Sequence, residues 1–211
     1  MKKIILSVSL MLMAGLGFAQ NSGMSAAELE RKGAEYYGAK NYTEAAKYFQ
    51  MAADKGDAVA QNDLANLYFD GVGVEKDLAK AVELFRKSAE QGFVRGQYNL
   101  AYCYDFGEGV EHNSALAAEW YMKAALQGHA SAQYNVASYY LEGDGLEQSY
   151  EKAAEWYQKS AEQGNAKAQN NLGWLYQYGK GVTQDLAKAK YWYEKAAAQG
   201  HAKAKENLEN L

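Results

Sequence analysis

Apolar residues recur along this chain at a spacing near 3.6, in stretches of about a dozen residues separated by polar or glycine-bearing breaks. Ala60, Leu64, Leu67 and Tyr68 share one face of one stretch, and Ala81, Leu84, Phe85, Ser88 and Ala89 share a face of the next. Both predict amphipathic helices. The pair then recurs: Gly56, Gly92, Gly128, Gly164 and Gly200 stand 36 residues apart. A fixed period in this range predicts one helical hairpin copied along the chain, too small to bury its apolar face alone and stable only when stacked.

The breaks agree with that reading. Asn41, Asp77, Asn113, Ser149 and Asp185 open the second helix of successive units, and all five are good N-cap types, able to accept from free backbone N–H groups. Asn41 with Glu44 predicts a capping box. The recurring Gly that closes each second helix falls where a left-handed C′ residue is expected. Between the helices lies a paired-glycine loop, as in Gly71-Val72-Gly73 and Gly179-Lys180-Gly181, whose first Gly ends the helix and whose second turns the backbone.

Small residues recur where helices must approach closely, at Ala81, Ala117, Ala153 and Ala189 and at Ala53, Ala89, Ala125, Ala161 and Ala197. Tyr68, Tyr104, Tyr140 and Tyr176 form one aromatic ladder; Trp120, Trp156 and Trp192 form another. With the G-x-G-V loop ahead of it, the pattern A-x-x-W-Y-x-K-[AS]-A-x-Q-G resembles the Sel1-like repeat family, a longer-looped relative of tetratricopeptide repeats. The resemblance implies an all-α fold: a right-handed α-solenoid of stacked antiparallel helix pairs, about eleven helices after a signal peptide.

The units implied are 25–55, 56–91, 92–127, 128–163 and 164–199, with a C-terminal capping helix over 200–211. The first is more like an ordinary tetratricopeptide repeat, because its Gly38-Ala39-Lys40-Asn41 loop is four residues shorter. In the last helix, Glu209 takes the place of small Ala65, Ala101, Ala137 and Gly173, which suits a terminal cap.

Composition changes the picture at the N-terminus. Lys2 and Lys3 precede an apolar run from Ile4 to Phe18, and Gly17-Phe18-Ala19 supplies small residues at cleavage spacing. Residues 1–19 read as a secretory signal peptide, followed by a short linker over 20–24; the alternative is an uncleaved anchor. No cysteine follows to carry a lipoprotein anchor. The expected location is the periplasm, or outside the cell, of a Gram-negative bacterium. Loss of the signal removes two lysines and no acids, moving the net charge from −4 to −6. An acidic surface of mixed sign argues against a nucleic-acid partner, which needs a basic footprint. No segment after the signal is expected to span a membrane.

Candidate chemistry is sparse. Cys103 is the only cysteine, so no internal disulfide forms; it aligns with core positions Leu67, Tyr139 and Leu175 and reads as buried and inert. The lone thiol also separates the chain from the family's cysteine-rich branch, which the resemblance links to β-lactam binding and hydrolysis. Ser149-Tyr150-Glu151-Lys152 matches the Ser-x-x-Lys nucleophile motif, but its companion motifs are missing and Ser149 holds an N-cap position. His112, His129 and His201 lie in separate units without cysteine ligands, so no metal is expected. The Gly-x-Gly loops lack the lysine and hydroxyl of a phosphate loop, and no cofactor is expected.

In the tetratricopeptide class, first helices line the concave side, and the resemblance carries that over. The inward rows are Val59, Arg95, Ser131 and Lys167; Asn62, Tyr98, Tyr134 and Asn170; Asn66, Tyr102, Ser138 and Trp174; and Phe69, Asp105, Leu141 and Gln177. Unlike the core rows, these vary in residue type. Among them Asn62, Asn66, Arg95, Tyr98, Tyr102, Tyr134, Lys167, Asn170, Trp174 and Gln177 form a candidate peptide-binding set, with aromatic area and backbone-pairing amides. The expected function is a non-catalytic exported scaffold that binds another protein or an extended peptide. The alternatives are a cell-wall or β-lactam-acting hydrolase and a purely structural spacer in an envelope assembly.

Overall fold

Each apolar stretch becomes a helix. In the computed structural model, which describes residues 23–211, eleven helices run in sequence and no strand occurs among the described residues. They are α1 (Ala26–Gly38), α2 (Tyr42–Asp54), α3 (Ala58–Asp70), α4 (Leu78–Glu90), α5 (Val94–Phe106), α6 (Ser114–Leu126), α7 (Ala130–Glu142), α8 (Tyr150–Glu162), α9 (Ala166–Tyr178), α10 (Leu186–Ala198) and α11 (Ala202–Glu209). The signal peptide read over 1–19 lies outside the described residues, as does its anchor alternative. Among the described residues no helix is long and apolar enough to cross a membrane.

The described chain divides into two compact units, one up to Ser88 and one from Ala89. In the first, α1 packs on α2 and α2 on α3. The α3 and α4 helices meet through Phe69 and Phe85, whose ring centroids are 6.3 Å apart, and through Ser88 Oγ, which donates to Ala58 O at 2.6 Å. In the second unit each helix from α5 to α11 packs on the next. Small residues make the approaches close: Ala117, Ala125, Ala153 and Ala189 are each 0–1 % exposed.

Capping follows the sequence closely, with one difference. Asn41, Asp77, Asn113, Ser149 and Asp185 each accept a backbone N–H three residues on. The capping box expected at Asn41 and Glu44 is one-sided, because the Glu44 carboxylate pairs instead with Lys47 at 2.6 Å. The two-way box lies one helix earlier. There Glu28 Oε2 accepts the Ser25 N–H at 2.8 Å while Ser25 Oγ accepts from Glu28 N.

The second glycine of the long loops serves a purpose beyond its positive φ. A Cβ on Gly145 would stand 2.6 Å from Ser114 O, and one on Gly181 would overlap the carbonyl carbon of Tyr150. The loops at Gly73, Gly145 and Gly181 each lie directly on the first turn of the preceding unit's second helix, where only a hydrogen at Cα leaves room. The short first loop solves its turn differently: Lys40 takes φ 59°.

Candidate functional site

Within the second unit the first helices α5, α7 and α9 carry the varied rows and α11 continues the series, with the second helices packed between them. Tyr121, Tyr157 and Tyr193 are each 0 % exposed and 36 residues apart, on α6, α8 and α10. Their rings fill the core while their hydroxyls reach polar groups of the first helices. Tyr121 Oη donates to Asp105 Oδ2 at 3.1 Å, and Tyr139 Oη donates to Asp105 Oδ1 at 2.6 Å. Tyr157 Oη lies 2.9 Å from Ser138 Oγ and accepts from Asn171 Nδ2 at 3.0 Å. Tyr193 Oη donates to Gln177 Oε1 at 2.7 Å. Burial raises all four phenols, Tyr157 and Tyr193 to about 12, and the Asp105 charge raises Tyr121 and Tyr139 further. They remain neutral donors at physiological pH.

A cleft of about 420 Å³ opens on this face between α7, α9 and α11. Trp174 and Tyr178 give it an aromatic wall, with ring centroids 5.4 Å apart. Asn170, Asn171 and Asn207 give it amides, and Lys203 and Leu141 complete the lining. The amides form a relay: Asn207 Nδ2 donates to Asn170 Oδ1 at 3.0 Å, Asn170 Nδ2 to Asn171 Oδ1 at 3.1 Å, and Asn171 Nδ2 to Tyr157 Oη. This volume and lining suit recognition of a side chain and its backbone.

The candidate residues separate by burial. Arg95 and Lys167 are exposed. Tyr98 is half-buried, its ring 4.5 Å from His129 and 5.5 Å from Tyr121. The Tyr102 ring lies tilted against exposed Phe106, with centroids 4.5 Å apart. Tyr134 is half-buried, with its ring 5.7 Å from Tyr157. Asn170 and Trp174 meet in the cleft, and Gln177 is held by Tyr193. In the first unit, Asn66 is half-buried, but Asn62 is 1 % exposed and donates to Asp63 at 3.0 Å within the packing.

Sequence reasoning left out Asn171, Tyr178, Lys203 and Asn207. A signal for two of them exists: Asn99, Asn135, Asn171 and Asn207 form a row of identical amides 36 residues apart. All four are half-buried.

The chemistry weighed on sequence has structural explanations. Ser149 Oγ accepts the Lys152 N–H at 3.2 Å and donates to Glu151, while Lys152 Nζ lies 5.2 Å from the Tyr140 ring centroid. Cys103 is 0 % exposed, and burial pushes its thiol up to about 12. His129 and His201 are N-caps whose Nδ1 atoms accept from Ala132 N and Ala204 N, both at 3.2 Å. Among the described residues no group of three or more His, Cys, Asp or Glu side chains is placed to hold a metal.

Comparison with known proteins fits this architecture. The Sel1 repeat matches five times, over residues 26–57, 58–93, 94–129, 130–165 and 166–201. The crystal structure of c5321, described as a protective antigen present in uropathogenic Escherichia coli strains and displaying an SLR fold, is 34% identical with a TM-score of 0.83. The match covers 87% of this chain but only 40% of the E. coli protein. A Sel1 repeat protein from Oxalobacter formigenes is 36% identical with a TM-score of 0.81, covering 86% of this chain and 72% of that one. Helicobacter pylori cysteine rich protein B shares the fold at 24% identity and a TM-score of 0.50. No curated protein matches the chain in sequence. Five consecutive repeat matches over packed helix pairs show that the chain belongs to the Sel1 repeat family.

Proposed function

We propose that this chain is a non-catalytic scaffold that holds an extended segment of another protein on its first-helix face, outside the bacterial cytoplasm. Sel1 repeat proteins mediate protein interactions. The observation that carries the reading for this chain is the cleft between α7, α9 and α11. It combines an aromatic wall with amides, while none of the motifs that suggested catalysis presents an available nucleophile beside a base. Aromatic rings offer contact area at low entropy cost, and carboxamides pair with a backbone that has no sheet partner. Export rests on Lys2, Lys3 and the apolar run to Phe18. The antigenic role printed for the E. coli relative agrees with exposure outside the cytoplasm.

An unbiased peptide-display selection against the mature protein tests the reading. Enriched peptides should bind the wild type and lose about tenfold or more in affinity to Trp174→Ala, with melting temperature confirming that the variant is folded. No enrichment, or enrichment indifferent to Trp174, would remove the face as a binding site.

A further inference from the structure

Resting on that reading, we infer that the guest of the second unit is an acidic extended segment, held by the asparagine row along its main chain and by the cations beside it through its carboxylates. Asn99, Asn135, Asn171 and Asn207 place one carboxamide on every first helix of this unit. A carboxamide offers one acceptor oxygen and two N–H donors, matching the C=O and N–H that an extended chain presents. In the relay Asn171 uses one donor and one lone pair, leaving a second of each for a guest. Asn99 and Asn135 are also engaged within the protein, Asn135 with Tyr98.

Charge points to the sign of the guest. The whole chain is acidic at −4, yet Arg95, Lys167 and Lys203 recur at one position of α5, α9 and α11, and all three are exposed. Each is the second residue of its helix, where the helix dipole disfavours positive charge. Local helix stability therefore does not explain them. Among the described residues neither Arg95 nor Lys167 forms an ion pair, and Lys203 pairs with Glu206 at 2.7 Å on an open surface, where exchange costs little. Lys203 is also the one formal charge lining the cleft. The aromatic pairs Tyr102/Phe106 and Trp174/Tyr178 occupy equivalent positions two repeats apart, so apolar side chains are expected among the acidic ones.

The display selection provides the first arm. Enriched sequences should carry net negative charge with interspersed aromatic or aliphatic residues. Enrichment without acidic bias overturns this inference and leaves the scaffold reading intact, whereas no enrichment overturns both. The second arm uses a capped synthetic peptide alternating glutamate with phenylalanine, and its lysine-for-glutamate counterpart. The acidic peptide should bind about tenfold more tightly, and weaken as salt rises. Lys167→Glu combined with Lys203→Glu should reverse the preference without lowering the melting temperature, since glutamate suits the second position of a helix. Asn135→Ala should weaken binding about fivefold to tenfold. Equal affinity for the two peptides, or an unchanged preference in the charge-reversed protein, overturns the inference.

Discussion

Gln163 Nε2 donates to Gln133 Oε1 at 2.7 Å across thirty residues of chain. The same bond joins Gln127 to Gln97 and Gln199 to Gln169, both at 2.8 Å. Each inner glutamine also donates to the end of the preceding second helix, as Gln133 Nε2 does to Ala125 O at 3.2 Å. One side chain thus links two successive second helices, and the repeat is registered by polar bonds as well as by apolar packing. Gln133 is 5 % exposed, so its removal strands groups that water does not reach. Gln133→Ala should cost about 1–3 kcal/mol, whereas exposed Gln163→Ala should cost under about 1 kcal/mol, as read by chemical denaturation. Equal losses would show that the burial of Gln133 and its bond to Ala125 O add nothing beyond the bond the two glutamines share.

Ala161 and Lys159 test the helix faces. Ala161 is 1 % exposed, and Gln169 Nε2 donates to its carbonyl at 3.0 Å, so the backbone there is held in place. Ala161→Leu has no room and should cost about 1–3 kcal/mol by overpacking. Lys159 is exposed and lies 4.1 Å from the Trp156 ring centroid. Lys159→Ala should lose only that cation–π contact, about 0.5–1 kcal/mol. A melting temperature lowered equally in the two variants would contradict the assigned faces.

The two kinds of recurring glycine give a third contrast. Gly164 and Gly181 both have positive φ, at 91° and 66°. Nothing lies within 4 Å of a Cβ on Gly164, so Gly164→Ala should cost only backbone strain, about 1–2 kcal/mol. A Cβ on Gly181 meets the backbone of Tyr150 and Glu151, which has no rotamer to adopt. Gly181→Ala should exceed Gly164→Ala by about 1–3 kcal/mol in denaturation.

Helices, caps and core rows were legible in the sequence because the same packing constraint acts on every copy and therefore repeats. The groups that build the site were less legible, for reasons that differ by residue. Asn62 shares its row with Tyr98 and Tyr134, yet it is 1 % exposed while they are half-buried. A short amide at the edge of a helix face is covered where a long ring reaches out. Tyr157 occupies a core position, and periodicity reports its ring; where its hydroxyl goes depends on Ser138 and Asn171 of two other helices. Lys203 and Asn207 lie on a helix whose pattern shows only a cap, and they join the cleft because α11 packs on α10.

His129 makes a pH dependence with a definite sign. Its Nδ1 accepts the Ala132 N–H, and its ring stacks on Tyr98 at 24° between planes. Accepting requires the neutral imidazole, with the proton on Nε2. Burial, and then the Arg95 charge, lowers the pKa below its ordinary 6.5. The unfolded chain therefore binds the proton more readily, and the stability His129 contributes is complete above about pH 6.5 and lost as pH falls toward the folded value. Asn165 occupies the same position one repeat later and caps with Oδ1, accepting from Ala168 N at 3.1 Å. His129→Asn should keep the cap and remove the titration, while His201 caps α11 in both proteins and so does not affect the comparison. Between about pH 7 and about pH 5.5 the melting temperature of the wild type should fall more steeply than that of His129→Asn. Parallel curves would mean that protonation of His129 does not disturb the cap.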